Sequence, residues 1–352
     1  MVVGNVMAGL GTLEMIVDRI NNYLLPRKSS EIPDVRGIPL TMTEEVRQIA
    51  EQFLRNRGID TTRQDEATGW DIFWAREMAA AMIAIPNRGG MYETYLPGRF
   101  LHYDLLAYTI ASLFNGRVNS IDGKKVAEIG SGSGLGLMKL AQKGALVTGM
   151  DYSIMAIEFA RYLSRHYEVE DRVTLVQGDY FNMPPQMLEN APFDVVYNSG
   201  VLEHEERAEE LVGQMAGITR PGGYVVITVP NESGVFYRRF KNRETTIKDR
   251  FTRLVGIPVE HRRYSHNIPR LMGGNGLLAV RVDGLQVAPS APIRKEDIER
   301  DARTFDGYLP RRDVPPNIED RVNAWTVLEL YATRDFRLRY GWSRYYVGQK
   351  PN

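Results

Sequence analysis

The stretch from Lys125 to Asp151, KVAEIGSGSGLGLMKLAQKGALVTGMD, constrains the fold of this chain more than any other. A short apolar run from Val126 to Ile129 carries Glu128 near its end, and glycines follow at Gly130, Gly132, Gly134 and Gly136. A helix-like run goes from Leu137 to Lys143, and a second apolar run, Leu146 to Met150, ends on Asp151. The periodicities predict strand, glycine loop, helix, strand, acid. Glycines let a backbone turn sharply off a strand and approach a ligand with no Cβ in the way. A helix N-terminus behind such a loop offers free N–H groups and a positive dipole end. An acid closing the next strand can accept the hydroxyl protons of a ribose. A nucleoside-containing cofactor is the expectation.

The glycine spacing narrows the choice. A dinucleotide fingerprint needs G-x-G-x-x-G, but the third glycine position falls on Leu135 or Leu137. The phosphate-loop pattern G-x-x-x-x-G-K-[ST] is absent. What stands there is E-x-G-x-G-x-G, from Glu128 to Gly134. This resembles motif I of class I S-adenosylmethionine-dependent methyltransferases. The resemblance implies a Rossmann-like α/β fold, a doubly wound and mostly parallel seven-stranded sheet with an antiparallel last strand, and S-adenosyl-L-methionine as cofactor.

The following residues continue the resemblance. Ser153 to Tyr167 reads as a helix capped by Ser153, and Val173 to Gln177 as a third strand followed by Asp179 and Tyr180. In the family an acid at this place holds the adenine amino group, and Asp179 has that type and position. Phe193 to Asn198, FDVVYN, reads as strand four and runs into Ser199-Gly200-Val201-Leu202-Glu203-His204, which resembles motif IV of the small-molecule methyltransferases. Arg207 to Ile218 reads as a helix, Arg220-Pro221-Gly222-Gly223 as a tight turn, and Tyr224 to Val229 as strand five. Leu278 to Val287 resembles strand six, Ile318 to Tyr331 is helix-like, and Tyr345 to Lys350 resembles the last strand, antiparallel at the edge. The resemblance assigns the cofactor to Glu128, Gly130, Ser131, Gly132, Gly134, Asp151, Tyr152, Asp179, Tyr180 and Asn198. His204 is the candidate base, with Glu203 beside it, because an unperturbed imidazole titrates near neutrality.

Residues 1–120 precede this domain of residues 121–352 and read as a helical extension or cap. Met1 to Leu25 has an amphipathic pattern, and Pro26 to Pro39 reads as a loop. Thr43 opens a helix ending near Gly58. A second helix runs from Asp71 to Ile85 and stops before Pro86, and a third from Arg99 to Phe114. Tyr92, Tyr95 and Arg99 are candidates for substrate contact, since the family often recruits the segment ahead of the first strand. Between residues 231 and 275 lies a basic, lid-like insertion: from Arg238 to Arg270, ten Lys/Arg stand against three Asp/Glu. Such a patch reads as a lid for an anionic or phosphorylated small-molecule acceptor, or as a surface touching a membrane or RNA.

Composition sets outer bounds. Lys plus Arg equals Asp plus Glu at 44 each, so no global positive field draws the chain to nucleic acid, and DNA is not an expected partner. The absence of cysteine excludes disulfides, thiolate metal sites and a cysteine nucleophile. No metal site and no transmembrane segment is expected, and the location expected is cytoplasmic. The function implied is methyl transfer to an O or N atom of a small or lipid-like metabolite. An RNA or protein methyltransferase, a carbon methyltransferase of the cyclopropane-synthase kind, and a non-catalytic binder of the cofactor remain as alternatives.

Overall fold

The computed structural model describes residues 44–63, 65–87, 97–114, 121–231, 267–285, 334–341 and 343–352. The expectations for Met1 to Leu25, for Pro26 to Pro39, for Tyr92 and Tyr95, for Ile318 to Tyr331 and for most of the basic insertion lie outside these residues.

The helices ahead of the sheet are α1 (Glu44–Asn56), α2 (Glu66–Asn87) and α3 (Pro97–Ser112). The glycine unit then gives β1 (Lys125–Ile129), α4 (Leu135–Ala141) and β2 (Leu146–Asp151). It is followed by α5 (Ile154–His166), β3 (Val173–Gln177), α6 (Pro185–Asn190) and β4 (Phe193–Ser199). The described chain ends with α7 (Ala208–Ile218), β5 (Thr219–Pro230), α8 (Ile268–Gly274), β6 (Leu278–Leu285), α9 (Arg334–Tyr340) and β7 (Ser343–Gln349). None of the described helices is long and apolar enough to cross a membrane.

The strands form one seven-stranded sheet in the order β3-β2-β1-β4-β5-β7-β6. β1 to β5 pair in parallel, with registers such as Val126↔Val147 and Val126↔Val195. Near-continuous apolar strands such as VVYN on β4 are what a sheet covered on both faces requires. One face packs α3, α4 and α5 through Leu106, Ile110, Leu137, Met138, Phe159 and Leu163. The other packs α6, α7 and α8 through Met187, Leu211, Met215, Ile268 and Met272. α1 and α2 pack on one another and on Met155 at the start of α5. The strand order reverses between β1 and β4, and in open α/β sheets ligands bind outside the carboxyl ends of the strands at that switch point.

Three expectations are corrected. β7 is antiparallel as expected but lies inside the sheet, paired with β5 (Val226↔Val347) and with β6 (Val282↔Tyr346), so β6 takes the edge. Burial explains the exchange: Tyr345, Tyr346 and Val347 are almost wholly buried and alternate into the two core layers, whereas Leu278 on β6 is 62% exposed. Arg220 to Gly223 is not a turn ahead of strand five but part of it. β5 starts at Thr219 and absorbs these residues as a register irregularity opposite Asp194, with Gly222 at φ +69° and the Arg220 guanidinium donating to Asp194 at 2.8 Å. Finally, α2 begins a turn earlier than Asp71 and passes through Pro86. Asp65 caps its start by accepting the Thr68 N–H at 2.8 Å, and a proline in the last turn removes one hydrogen bond on which little helix depends.

Candidate active site

The glycine loop is folded by its own backbone. The N–H groups of Gly130 and Ser131 both donate to the Met150 carbonyl, at 2.8 and 2.9 Å, which fastens the loop to the end of β2. Gly130, Gly132 and Gly134 all have positive φ (69°, 51° and 67°), and Gly134 is the left-handed N-cap of α4. The helix starts at Leu135, two residues before the sequence placed it, so Gly136 belongs to the helix and not to the loop. There a Cβ would stand 2.7 Å from the Tyr197 hydroxyl. On Gly130 it would stand 2.5 Å from Val201 Cγ2, so the loop after β4 closes directly on the loop after β1.

Asp151 closes β2 beside this loop. Its Oδ2 accepts the Gly132 N–H at 2.8 Å and its Oδ1 accepts the Ser153 N–H at 2.9 Å. Burial pushes its carboxyl up to about 6, against the pull of those backbone donors and with Asp71 adding to the rise. A carboxylate has about four lone-pair sites. The backbone donors of Gly132, Tyr152 and Ser153 leave accepting capacity toward the cavity that Asp151 lines.

That cavity, about 370 Å³, opens at the switch point. Gly130, Ser131, Gly132, Asp151, Tyr152 and Tyr180 line it, as do Glu203 and His204 from the short 3-10 turn Leu202–His204 after β4. The structure therefore brings eight of the sequence-derived candidates to one wall. The Ser131 hydroxyl is buried there without a hydrogen-bond partner, the kind of group a polar ligand satisfies. Tyr180 donates its hydroxyl to Glu205 at 2.7 Å, and Arg207 stacks on Phe181 at 3.7 Å, tying the loop after β3 to the loop after β4.

The other candidates sit elsewhere. Gly134 caps α4 beside Ala160 and is not among the lining residues. Glu128 is 2% exposed beneath the loop and accepts the Tyr197 hydroxyl at 2.9 Å, and burial drives its carboxyl well above the ordinary range. Asn198 is wholly buried on the opposite face of β4, its amide against Met215 Sδ, because alternation along the strand sends Tyr197 and Ser199 toward the cavity side. Asp179 is exposed and accepts from the Phe181 N–H at 2.8 Å and the Asn182 side chain at 3.0 Å, a local turn. Arg99 lies in the first turn of α3, but its side chain is outside the described residues.

Sequence reasoning pointed to His102 and Tyr103 ahead of the first strand but missed the wall that α2 supplies. Trp70, Phe73 and Trp74 of α2 line the cavity, with the Trp70 ring edge-on to His204 at a 5.6 Å centroid distance. So do His102 and Tyr103 of α3, and His102 Nε2 lies 3.1 Å from the Ser199 hydroxyl. The available signal was the spacing of the three α2 aromatics, which puts them on one helix face.

Part of this chain is similar to known proteins. Residues 127–227 match the family described as Methyltransferase domain. A ubiquinone biosynthesis O-methyltransferase of Vibrio vulnificus is 30% identical over 118 residues, 33% of this chain and 48% of its own length. Its counterpart in Azoarcus sp. is 34% identical over 113 residues, 32% and 46% of the two chains. The chain spans about half the length of the curated relatives it matches. Among solved structures, a magnesium protoporphyrin IX methyltransferase from Synechocystis with bound SAH is 16% identical, covering 72% of this chain and 84% of that one at a TM-score of 0.42. Residues 127–227, which carry the glycine loop, Asp151 and the turn of His204, are thus similar to a methyltransferase domain.

Proposed function

We propose that this chain is an S-adenosylmethionine-dependent methyltransferase that modifies an O or N atom of a small or lipid-like metabolite. The observation that carries the reading is Asp151: a buried acid at the end of β2, hydrogen-bonded to the glycine loop and facing a cavity at the switch point. The residues present fit the cofactor. Asp151 keeps accepting capacity for a ribose diol. The Ser131 hydroxyl is a buried polar group in need of a partner, and Gly130 and Gly132 line the same cavity. Tyr152 and Tyr180 line the same cavity.

When bound, S-adenosylmethionine supplies a methyl group made electrophilic by its sulfonium. The chain's own part is to bind, align and keep water out. Trp70, Phe73, Trp74 and Tyr103 form an apolar wall that excludes water and offers flat surfaces to an acceptor. His204 and His102 stand at that wall, and His204 is the residue assigned to take a proton from an acceptor hydroxyl or amine. The lining holds two carboxylates, two imidazoles and, among the described residues, no Lys or Arg. Recognition of an anionic acceptor would therefore fall to the basic segment between residues 231 and 275.

Calorimetric titration with S-adenosylmethionine and S-adenosylhomocysteine tests the reading, using the wild-type chain and Asp151→Ala. Micromolar binding that the substitution abolishes is expected, followed by label transfer to hydroxylated or amine acceptors. A folded wild-type chain that binds neither compound would overturn it.

A further inference from the structure

We propose that Asp71, on α2 and outside the cavity, is a positioning residue of the cofactor site that holds Asp151 in place through Ser153. The helix ahead of the methyltransferase domain is then part of the binding machinery and not merely packed against it. This inference rests on the cofactor reading above.

The connection is a continuous run of hydrogen bonds. Asp71 Oδ1 accepts the Ser153 hydroxyl proton at 2.6 Å and the Met155 N–H at 3.2 Å. The same Ser153 oxygen accepts the Ala156 N–H at 3.1 Å and so caps α5. Ser153 N–H donates to Asp151 Oδ1, and Asp151 Oδ2 accepts from Gly132. A serine hydroxyl has one proton to give. Spending it on Asp71 fixes the rotor, which keeps the oxygen on the cap and the backbone N–H aimed at Asp151. Ser153 is 1% exposed, so loss of Asp71 would leave a buried donor without this partner and favour reorientation of the whole turn.

Asp71 is also well placed to act as a fixed point. Around it α2 is clamped to α5 by Ala75, Ala79 and Ala80 packed with Met155, and by the Trp74 ring tilted against Phe159 at a 6.4 Å centroid distance. Arg57, just after α1, adds an ion pair to Glu158 of α5 at 2.8 Å. That ion pair belongs to the same docking interface but does not touch Ser153, which makes it a control. Asp71 is half-buried, with the Ser153 hydroxyl and the backbone N–H groups of Ile154 and Met155 directed at its carboxylate.

The test titrates the full chain with S-adenosylhomocysteine, using Asp71→Ala, Asp71→Asn, Ser153→Ala, the double Asp71→Ala/Ser153→Ala and Arg57→Ala. Asp71→Ala and Ser153→Ala should each weaken binding about tenfold, the scale of one lost hydrogen bond to a charged group. The double variant should be no weaker than the worse single one, since both cut one connection. Asp71→Asn, whose amide oxygen can still accept both donors, should bind like wild type, as should Arg57→Ala. In the ligand-free chain, amide exchange at Gly132 and Ser153 should quicken in Asp71→Ala and not in Arg57→Ala. If Asp71→Ala fails to fold, Ser153→Ala carries the comparison. Wild-type affinity in Asp71→Ala or Ser153→Ala, additive losses in the double variant, or an equal loss in Arg57→Ala would overturn the inference while leaving the cofactor reading intact. A wild-type chain that binds no S-adenosylhomocysteine would overturn both.

Discussion

The indole of Trp74 lies directly against Gly132, so close that a Cβ on Gly132 would stand 2.6 Å from Trp74 Cη2. Gly132 is also at φ +51°, where an L side chain is strained. Gly132→Ala therefore combines a backbone cost of about 1–3 kcal/mol with displacement of an aromatic wall. It should lower the melting temperature and abolish binding of S-adenosylhomocysteine. Adding Trp74→Ala should recover part of the melting temperature by removing the clash, but not the binding. Wild-type melting and affinity in Gly132→Ala would show that the two residues do not constrain one another.

Asp151 should make cofactor binding depend on pH. Burial lifts its carboxyl to about 6, and the neighbouring carboxyl of Asp71 bears on it in the same direction. Above that value it is ionised and offers its full accepting capacity, while below it one oxygen carries a proton. Affinity for S-adenosylmethionine should be flat from neutral pH upward and fall about tenfold per unit below about 6. Titration across pH 5 to 8 with Asp151→Asn as reference checks this, and an equally flat wild-type profile would count against an ionised Asp151 as the ribose acceptor.

Glu128 should shape stability instead. Its folded-state pKa is raised, by burial, above the unfolded value, so the folded chain holds a proton that the unfolded chain gives up. That contribution to stability is fully present below the unfolded value near 4.5 and is lost as pH rises toward the folded value. Glu128→Gln keeps an acceptor for the Tyr197 hydroxyl and removes the titration. Its melting temperature should fall less than that of wild type between pH 5 and 8. Parallel curves would place the Glu128 proton elsewhere.

His204 is the assigned base, and its substitution separates chemistry from binding. Once an acceptor is found, His204→Ala should lower kcat by about 10²–10⁴ and leave cofactor affinity within about threefold. A loss confined to acceptor KM would instead make His204 a contact held against Trp70.

What the sequence determined by itself is the unit from β1 to Asp151. Each of its signals is local: an apolar run, glycines where the backbone turns through positive φ, a helix, a second run and an acid. The same holds for the cap at Ser153, where the hydroxyl and the N–H it satisfies are three residues apart. Only the tertiary structure decided the rest. Periodicity says that Trp74 or Asn198 is buried, but not against what, and one residue of alternation was enough to turn Asn198 away from the cavity. The place of β7 inside the sheet follows from burial on both faces, which no window of sequence reports. The contacts that complete the site join residues far apart in the chain: Asp71 to Ser153 across 82 positions, His102 to Ser199 across 97, Glu128 to Tyr197 across 69. Such pairs are fixed by how helices dock on a finished sheet, because a hydrogen bond needs its two atoms within about 3 Å and only the packed fold sets that distance.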